Sequence, residues 1–530
     1  MTYDYVIVGA GAAGCVLANR LSADPAVKVL LIEDGGRGRD PLLAIPRAFY
    51  LTLRSKRHTF RYATQPSPGV PAELWTRGRG LGGSTLINGL MYVRGAAADF
   101  DALEASGNPG WGGNEFLRAY REVEDHALGE SASRGVGGPL AVSVPGEADR
   151  VTSAVFEAAK TLGLRRADDF NEADDERIAF TPATIHRGRR ASAASAFLGP
   201  ARRRPNLTIL THAHAERILL DGTRAVGVVV RRRGRHQEIR AGREVLVAAG
   251  AIESPLLLER SGIGRPEVLR AAGVEPVVES PNVGERLIEQ RAVSMQVRFR
   301  EGVVPSLNSR PRQLRAGLRY LASRRGPIAT SGYDVVSAFR SSPELARPDV
   351  QGVWVPIALD ETAHDIRLAR YPGLLFTGYP IRPTTAGSVH LGAGPDAPPV
   401  VTPRYLEAPE ERAAASSILE HARRIVSTSP LAELVDSEVF PGPSVATPDD
   451  VIQYSLAAGG GIRHAVGSCA MGPADTDVVD ADLRVRGVQG LRVVDASVLP
   501  RQVSGNPAAP VMALAWLAAD RILRDAPCGA

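Results

Sequence analysis

The residues best suited to chemistry lie near the end of the chain. His464 stands in the stretch GIRHAVGSCAMGPAD, Gly461 to Asp475, among glycines and other small residues. An imidazole in such a loop can fill space, hold a metal ion, or accept a proton near neutral pH. A metal site needs further ligands at usable spacing, and none stands near His464. Packing and proton transfer remain as the alternatives for this residue.

Asn506 is the second polar residue of interest in this part of the chain. It precedes Pro507 in NPAAPVMALAWLAADRIL, a stretch that predicts a helix opening with proline. Its amide can cap that helix, or it can offer a hydrogen-bond donor to a bound group. Both roles are compatible, because a helix that starts there directs its positive end toward a ligand.

A nucleotide site is predicted at the other end of the chain, which must fold back to meet these residues. The stretch YDYVIVGAGAAG contains an apolar strand followed by Gly9, Gly11 and Gly14 in GxGxxG spacing. The glycines permit a tight turn, a close approach of backbone to pyrophosphate, and close packing of the next helix. CVLANRLS supplies that helix, and VKVLLIE supplies a second strand that ends at Glu33.

Glu33 favours a dinucleotide whose adenosine ribose has free hydroxyl groups. An acidic residue about twenty positions beyond the glycines accepts hydrogen bonds from that ribose, so NAD or FAD is favoured over NADP. Asp34 could share the contact, but we interpret it as the start of the next loop.

A second glycine-rich segment, RGRGLGGSTLINGLMYVRG, runs from Arg77 to Gly95. Gly82, Gly83 and Ser84 would allow backbone to lie flat against a planar ring or a phosphate. Asn88 adds a donor and an acceptor.

This segment resembles the first signature of the glucose-methanol-choline (GMC) family of FAD-dependent oxidoreductases. AAGAIESPLLLERSGIG from Ala248 resembles the second signature of the family. Further blocks are similar to family blocks and follow in the same order: GNPGWGG from Gly107, PNVGERL from Pro281, RHAVGSCAMG from Arg463, and LRVVDASVLPRQVSGNPAAPVMALA from Leu491.

The resemblance implies an FAD cofactor and a set of residues that bind it. The implied binding residues are Gly9, Gly11, Ala12, Ala13, Gly14, Glu33, Arg79, Gly83, Ser84, Asn88, Gly89, Ala215, Ala249, Gly250, Asp495, Ala496, Asn506 and Pro507. Ala215 stands where the family usually has a valine that contacts adenine through its backbone. Some members bind FAD covalently through a histidine before the motif asparagine; Ile87 stands there in this chain, so non-covalent FAD is expected.

The resemblance also implies catalytic roles for His464 and Asn506. His464 would take the proton of an alcohol hydroxyl while hydride passes from the carbon to flavin N5, giving an aldehyde or ketone. Asn506 would orient the hydroxyl and stabilise developing alkoxide. One departure from the family pattern follows PNVGERL, where Glu289 is followed by Gln290 instead of histidine. We expect this change to affect contacts at the domain junction more than the hydride chemistry.

The expected fold class is α/β, with a Rossmann-like FAD-binding domain and a substrate domain in which helices back an antiparallel sheet. The FAD domain is predicted to be discontinuous, at 1–150, 200–290 and 465–530, with the substrate domain at 151–199 and 291–464. Within these, GVVVRRRGRHQEIRAGREVLVAAG predicts a hairpin leading to a buried strand, and EERAAASSILEHARRIVS predicts a helix. RSKRHTFRYATQPSPGVPAE, from Arg54 to Glu73, predicts a loop over the cofactor.

Composition limits the other partners and the location. The chain has 530 residues, a net charge of +5, and no apolar run near the about 18 residues of a membrane span. Its short arginine runs lack the aromatic residues of a nucleic-acid site, so no nucleic-acid partner is expected. Cys15, Cys469 and Cys528 are too scattered for a disulfide framework or a zinc site. No metal is therefore expected, and the absence of a signal-peptide pattern predicts a cytoplasmic protein.

Other functions remain open at this stage. The family includes cyanohydrin lyases and a light-driven decarboxylase, which keep FAD without net alcohol oxidation. The alcohol, the electron acceptor (oxygen or another carrier) and the oligomeric state are not indicated by the sequence. Trp354, Phe376 and Tyr379 hint at an apolar or aromatic pocket, although aromatic residues in a strand usually belong to the core.

Overall fold

The computed structural model describes residues 2–146, 148–302, 309–360, 367–394 and 397–525. Its strands are β1 Thr2–Val8, β2 Val29–Glu33, β3 Thr59–Ala63, β4 Leu74–Gly78, β5 Glu124–His126, β6 Leu140–Val142, β7 Arg165–Arg166, β8 Arg177–Phe180, β9 Ile185–His186, β10 Arg189–Arg190, β11 Leu207–Thr211, β12 His214–Asp221, β13 Arg224–Arg232, β14 Arg235–Val247, β15 Ile263–Gly264, β16 Val278–Glu279, β17 Val293–Phe299, β18 Val335–Phe339, β19 Val350–Val355, β20 Gly373–Pro380, β21 Ser388–His390, β22 Val400–Thr402, β23 Val435–Phe440 and β24 Leu491–Val493. Its α-helices are α1 Ala12–Leu21, α2 Phe49–Thr52, α3 Ala97–Ala105, α4 Gly113–Val123, α5 Arg150–Thr161, α6 Gly199–Ala201, α7 Gly250–Arg260, α8 Pro266–Ala271, α9 Arg310–Ser323, α10 Pro409–Val426, α11 Leu431–Leu434, α12 Pro448–Tyr454 and α13 Ala508–Asp525.

The first large sheet is built around the amino-terminal strand. Its order is β11-β2-β1-β14-β13-β12, and β24 also pairs with β14. β11, β2, β1, β14 and β24 are parallel neighbours, whereas β12, β13 and β14 form antiparallel pairs. The valine and isoleucine residues of β1 and β2 are buried, as expected for parallel strands covered on both faces. The predicted hairpin and its buried strand are confirmed as β13 and β14.

The glycine turn after β1 leads directly into α1, as the GxGxxG spacing predicted. Gly9 has φ +100°, a conformation that glycine adopts at little cost. A Cβ on Gly14 would lie 1.9 Å from the Gly9 carbonyl oxygen, so only glycine lets α1 begin this close to the strand. α13 packs against α1, and this contact brings the end of the chain to the nucleotide-binding turn.

The second large sheet has the order β23-β17-β20-β19-β18-β8-β7. Its pairs are antiparallel except β7 with β8. α10 covers one face, and a Cβ on Gly378 of β20 would lie 2.6 Å from Ile418 of that helix. The expected fold class, an α/β protein with a helix-backed antiparallel sheet, is therefore confirmed.

Residues 54–73 were expected to form a loop, but they contain β3, which pairs with β4; its alternating Phe60 and Tyr62 are separated by exposed Arg61. The expectation missed a short strand because prolines follow it closely.

The domain boundaries at 150, 199, 290 and 464 stay a prediction, although β7 and β8, from 151–199, belong to the second sheet. Cys528 lies outside the described residues. Among the helices that the structure describes, none is both long enough and apolar enough to cross a bilayer.

Candidate active site

One cavity of about 600 Å³ extends from the glycine turn after β1 to His464. Its walls come from both large sheets and from the start of α13. Most of the predicted binding residues line it: Gly9, Gly11, Ala12, Ala13, Glu33, Gly83, Ser84, Asn88, Gly89, Ala215, Ala249, Gly250, Asp495, Ala496, Asn506 and Pro507. Gly14 and Arg79 do not line it. Gly14 packs α1 against the glycine turn, and Arg79 contacts two residues of the cavity wall, Asp34 through an ion pair and Phe60 through its ring.

The glycine-turn end of the cavity fits a dinucleotide. A Cβ on Gly11 would have one protein atom within 4 Å, the Ala248 carbonyl oxygen at 3.8 Å, and a Cβ on Gly250 would have none. Backbone is therefore open to the cavity beside the amino-terminal ends of α1 and α7. Helix ends of this kind attract phosphate groups through free N–H groups and the helix dipole.

Glu33 is buried beside this open backbone. Its carboxylate accepts hydrogen bonds from the N–H groups of Ala10 at 3.0 Å, Gly35 at 2.8 Å and Gly80 at 2.9 Å. Burial raises the pKa of Glu33, and these hydrogen bonds act in the opposite direction. The carboxylate thus joins the glycine turn to the second glycine-rich segment.

Asp34 begins the loop after β2, as interpreted from the sequence, and its side chain also lines the cavity. Its carboxylate lies 2.5 Å from Arg79 Nε and 3.3 Å from His214 Nδ1. Burial raises the pKa of Asp34, but the hydrogen bonds and charges of His214 and Arg79 outweigh it, and the net shift is downward.

Asp495, two residues beyond the end of β24, holds the beginning of α7 against the cavity. It accepts hydrogen bonds from the Gly250 N–H at 2.8 Å and from the Ser254 hydroxyl at 2.6 Å. On its other oxygen it accepts from the Ser497 N–H at 2.8 Å. This contact places Ala249, Gly250 and Ala496 on a common stretch of wall.

His464 lies at the opposite end of the cavity, in a segment fixed by the buried residues that precede β17. Its N–H donates to Glu289 Oε1 at 2.7 Å, and its carbonyl oxygen accepts from Gln502 Nε2 at 2.6 Å. The small residues that follow it are buried, so the backbone packs tightly while the imidazole faces the cavity.

Gln290 determines the tautomer of the neutral His464 ring. Its Nε2 donates to the Ile381 carbonyl oxygen at 3.0 Å, so its Oε1 is the atom 2.7 Å from His464 Nδ1. A carbonyl oxygen can only accept, and Nδ1 of the neutral ring must therefore carry the proton. Nε2 is left with its lone pair directed at the cavity.

The side-chain amide of Asn506 lies within hydrogen-bond distance of that nitrogen. Its Oδ1 accepts from Gln351 Nε2 at 3.1 Å, and its Nδ2 lies 3.1 Å from His464 Nε2. Gln351 also donates to the Tyr379 hydroxyl at 2.6 Å. The described hydrogen bonds of the Asn506 amide go to these side chains, which favours the ligand-facing interpretation over helix capping.

The charges around His464 oppose its protonation. Burial, then the positive charges of Arg77 and Arg463, lower the pKa of His464 to about 3. Glu289 is buried against the His464 backbone, with Oε2 3.6 Å from Arg77 Nη2. The imidazole is therefore neutral and able to accept a proton at physiological pH.

Sequence reasoning missed part of this network. Gln290 was recognised only as a departure from the family pattern, yet it contacts the ring of His464 directly rather than only a domain junction. No sequence motif marks Gln351, so its role could not be predicted from the sequence. Of the three aromatic candidates, Tyr379 lines the cavity, while Trp354 and Phe376 pack on each other in the core with ring centroids 4.4 Å apart.

Comparison with known proteins identifies the family. Residues 3–292 and 383–515 match the amino-terminal and carboxy-terminal regions of GMC oxidoreductases. An alcohol dehydrogenase (acceptor) of Pseudomonas putida is 34% identical, over 98% of this chain and 96% of that protein. Human mitochondrial choline dehydrogenase is 34% identical, over 98% of this chain and 89% of that protein. The crystal structure of pyridoxine 4-oxidase from Mesorbium loti superimposes with a TM-score of 0.89 at 31% identity, covering 99% of both chains.

The chain belongs to the GMC oxidoreductase family. The predicted enzyme class, an FAD-dependent alcohol oxidoreductase, and the predicted FAD cofactor are confirmed at the level of this family.

Proposed function

We propose that the enzyme oxidises the hydroxyl group of a small alcohol to an aldehyde or ketone, with His464 as the base. The observation that carries the proposal is the 3.1 Å approach of Asn506 Nδ2 to His464 Nε2 on the cavity wall. A hydroxyl oxygen on the cavity side of this pair, within hydrogen-bond distance of both nitrogens, would donate its proton to Nε2 and accept from the amide. FAD, when bound, supplies the acceptor for the hydride that leaves the carbon bearing this hydroxyl group.

Gln290 prepares His464 for this step. Because Oε1 holds the proton on Nδ1, the ring has one unprotonated nitrogen, and it faces the substrate. Once Nε2 takes the hydroxyl proton, Oε1 remains a good acceptor for the more acidic Nδ1–H of the imidazolium. The hydrogen bond thus supports the base before and after proton transfer.

Asn506 acts on the hydroxyl oxygen. Gln351 occupies its Oδ1, so Nδ2 is the part of the amide directed at the reacting group. A donor aimed at developing alkoxide lowers the barrier and does not compete for the proton. The amino-terminal end of α13, next to Asn506, adds a positive dipole at the same place.

The same cavity would hold FAD without a covalent bond at Ile87. This residue occupies the position before Asn88, is 3% exposed and lines the cavity with a hydrocarbon side chain. A hydrocarbon offers no nucleophile for attachment. The open backbone at Gly11 and Gly250 would receive the phosphates.

The test is reduction of the holoenzyme by a panel of primary and secondary alcohols without oxygen. The proposal predicts loss of oxidised-flavin absorbance and one carbonyl product for each flavin reduced. Cyanohydrin cleavage with unchanged flavin, or light-dependent release of carbon dioxide from a fatty acid, would contradict it. Readmitting oxygen or adding a redox dye would then identify the class of electron acceptor.

A further inference from the structure

The charged residues on the cavity wall are unevenly distributed. The acidic ones already have partners: Glu33 and Asp34 are held as described above, and Asp495 binds the start of α7. Glu253 accepts from the Tyr62 hydroxyl at 2.8 Å and pairs with Arg260 at 3.2 Å. Among the described lining residues, no carboxylate is left to receive a cationic substrate.

Arginine, by contrast, lines the end of the cavity that holds His464. Arg463 immediately precedes the histidine, is exposed, and has φ +70°. Such a conformation is costly for a residue other than glycine and often marks a functional position. Within the described part of the chain, Arg463 has no carboxylate within ion-pair distance, although its neighbour Arg77 has Glu289.

Arg77 adds a second positive charge to this end of the cavity. Its Nη2 is buried without a hydrogen-bond partner, since Glu289 Oε2 is 3.6 Å away. The other oxygen of Glu289, Oε1, accepts hydrogen bonds from the N–H groups of His464 and Gln290. One buried carboxylate therefore stands against two arginines, and the cavity end is left with a net positive charge.

We propose that Arg463, reinforced by Arg77, forms a subsite for an anionic group of the substrate, so that the enzyme prefers an alcohol bearing a carboxylate over a neutral or cationic alcohol. This inference rests on the proposed function, because it concerns the same cavity. A guanidinium binds a carboxylate through paired hydrogen bonds, and the Tyr333 ring and Ile462, which line the same cavity, would pack against the body of the substrate.

A bound carboxylate would also help the base. Both arginines lower the pKa of His464. A negative charge at Arg463 would offset them and make proton acceptance by Nε2 more favourable in the enzyme–substrate complex than in the free enzyme. Substrate charge and base strength would thus be linked through Arg463.

The test compares alcohols that differ only in charge: 4-(hydroxymethyl)benzoate, benzyl alcohol and 4-(hydroxymethyl)phenyltrimethylammonium, with choline as a further cation. The readout is kcat/KM for flavin reduction. We expect the carboxylate to exceed the neutral alcohol by at least about 10-fold and the cations to be slowest. The preference should shrink at high ionic strength, because the arginine is exposed.

Variants at Arg463 separate charge recognition from a structural role. Arg463→Gln should reduce the carboxylate-to-neutral ratio to about 1–3, and Arg463→Glu should invert the order of anion and cation. Arg203→Gln, which removes an exposed arginine outside the cavity, should leave the ratio unchanged. Arg77 is left intact, because its loss would strand buried Glu289.

Equal rates for all charges, a preference for choline, or a ratio unaffected by Arg463→Glu would overturn the subsite while leaving alcohol oxidation intact. Failure of every alcohol to reduce the flavin would instead overturn the proposed function.

Discussion

Oε1 of Gln290 lies 2.7 Å from Nδ1 of His464, and Nε2 of the same amide donates to the Ile381 carbonyl oxygen at 3.0 Å. The second bond prevents the amide from turning its NH₂ group toward the ring. Gln290 therefore determines which imidazole nitrogen faces the cavity.

The pH dependence of flavin reduction should reflect this environment. Because burial and the charges of Arg77 and Arg463 lower the pKa of His464 to about 3, its basic form is present above that value and is lost as pH falls through it. We expect kcat/KM to show no loss attributable to His464 between about pH 5 and pH 8, whereas an unperturbed histidine would titrate near 6.5. A fall in kcat/KM centred near pH 6.5, absent from a His464→Ala variant, would contradict this assignment.

Gln290→Glu should move the acidic limb of the same profile upward. A carboxylate beside Nδ1–H favours the imidazolium, and an adjacent opposite charge raises a histidine pKa by about 1–3 units. Gln290→Leu, which removes the acceptor at similar size, should lower kcat at all pH values. Flavin absorbance and thermal stability serve as controls for folding, and identical profiles for both variants and the parent would exclude the positioning role.

Asn506→Ala should slow flavin reduction by about 100-fold, as expected when a donor to developing negative charge is removed. Asn506→Asp should be at least as slow, since it puts a negative charge where alkoxide develops. Asn506→His, which can keep a side-chain N–H donor at this position, should recover most of the rate. Single-turnover kinetics with one alcohol would reveal whether the alanine variant retains parental rates, an outcome incompatible with this role.

Two glycine substitutions should separate cofactor binding from folding. Gly11 has φ −75° and space beside its Cα, so Gly11→Val should fold but lose FAD because the side chain enters the cavity. Gly14→Ala should destabilise the fold itself, because its Cβ would lie 1.9 Å from the Gly9 carbonyl oxygen. Flavin content and thermal unfolding measure the two effects, and full FAD occupancy in Gly11→Val would argue against phosphate binding at this turn.

FAD should leave the protein when the holoenzyme is denatured. Ile87 gives no attachment point where some family members have histidine. Acid precipitation should release the yellow cofactor into the supernatant with the absorbance of free FAD. A yellow pellet would show a covalent bond at another residue.

Local features of the fold were predictable from the sequence, while the contacts across the cavity were not. Strand, glycine turn and helix at Tyr5 to Leu21 are encoded by neighbouring residues, since the turn geometry depends on Gly9 and Gly14 themselves. The family pattern further predicts His464 and Asn506 as catalytic residues. Gln351 and Gln290, however, reach them from β19 and from the segment before β17, and no local pattern indicates such long-range partners.

The most direct test of the central claim is the rate of anaerobic flavin reduction by an active alcohol in His464→Ala and in the parent enzyme. His186→Ala, which changes an exposed histidine outside the cavity, is the matched control. If His464 is the base, its loss should slow reduction by at least about 100-fold with FAD content unchanged, and His186→Ala should match the parent. Equal rates in the His464→Ala variant and the parent would contradict the account.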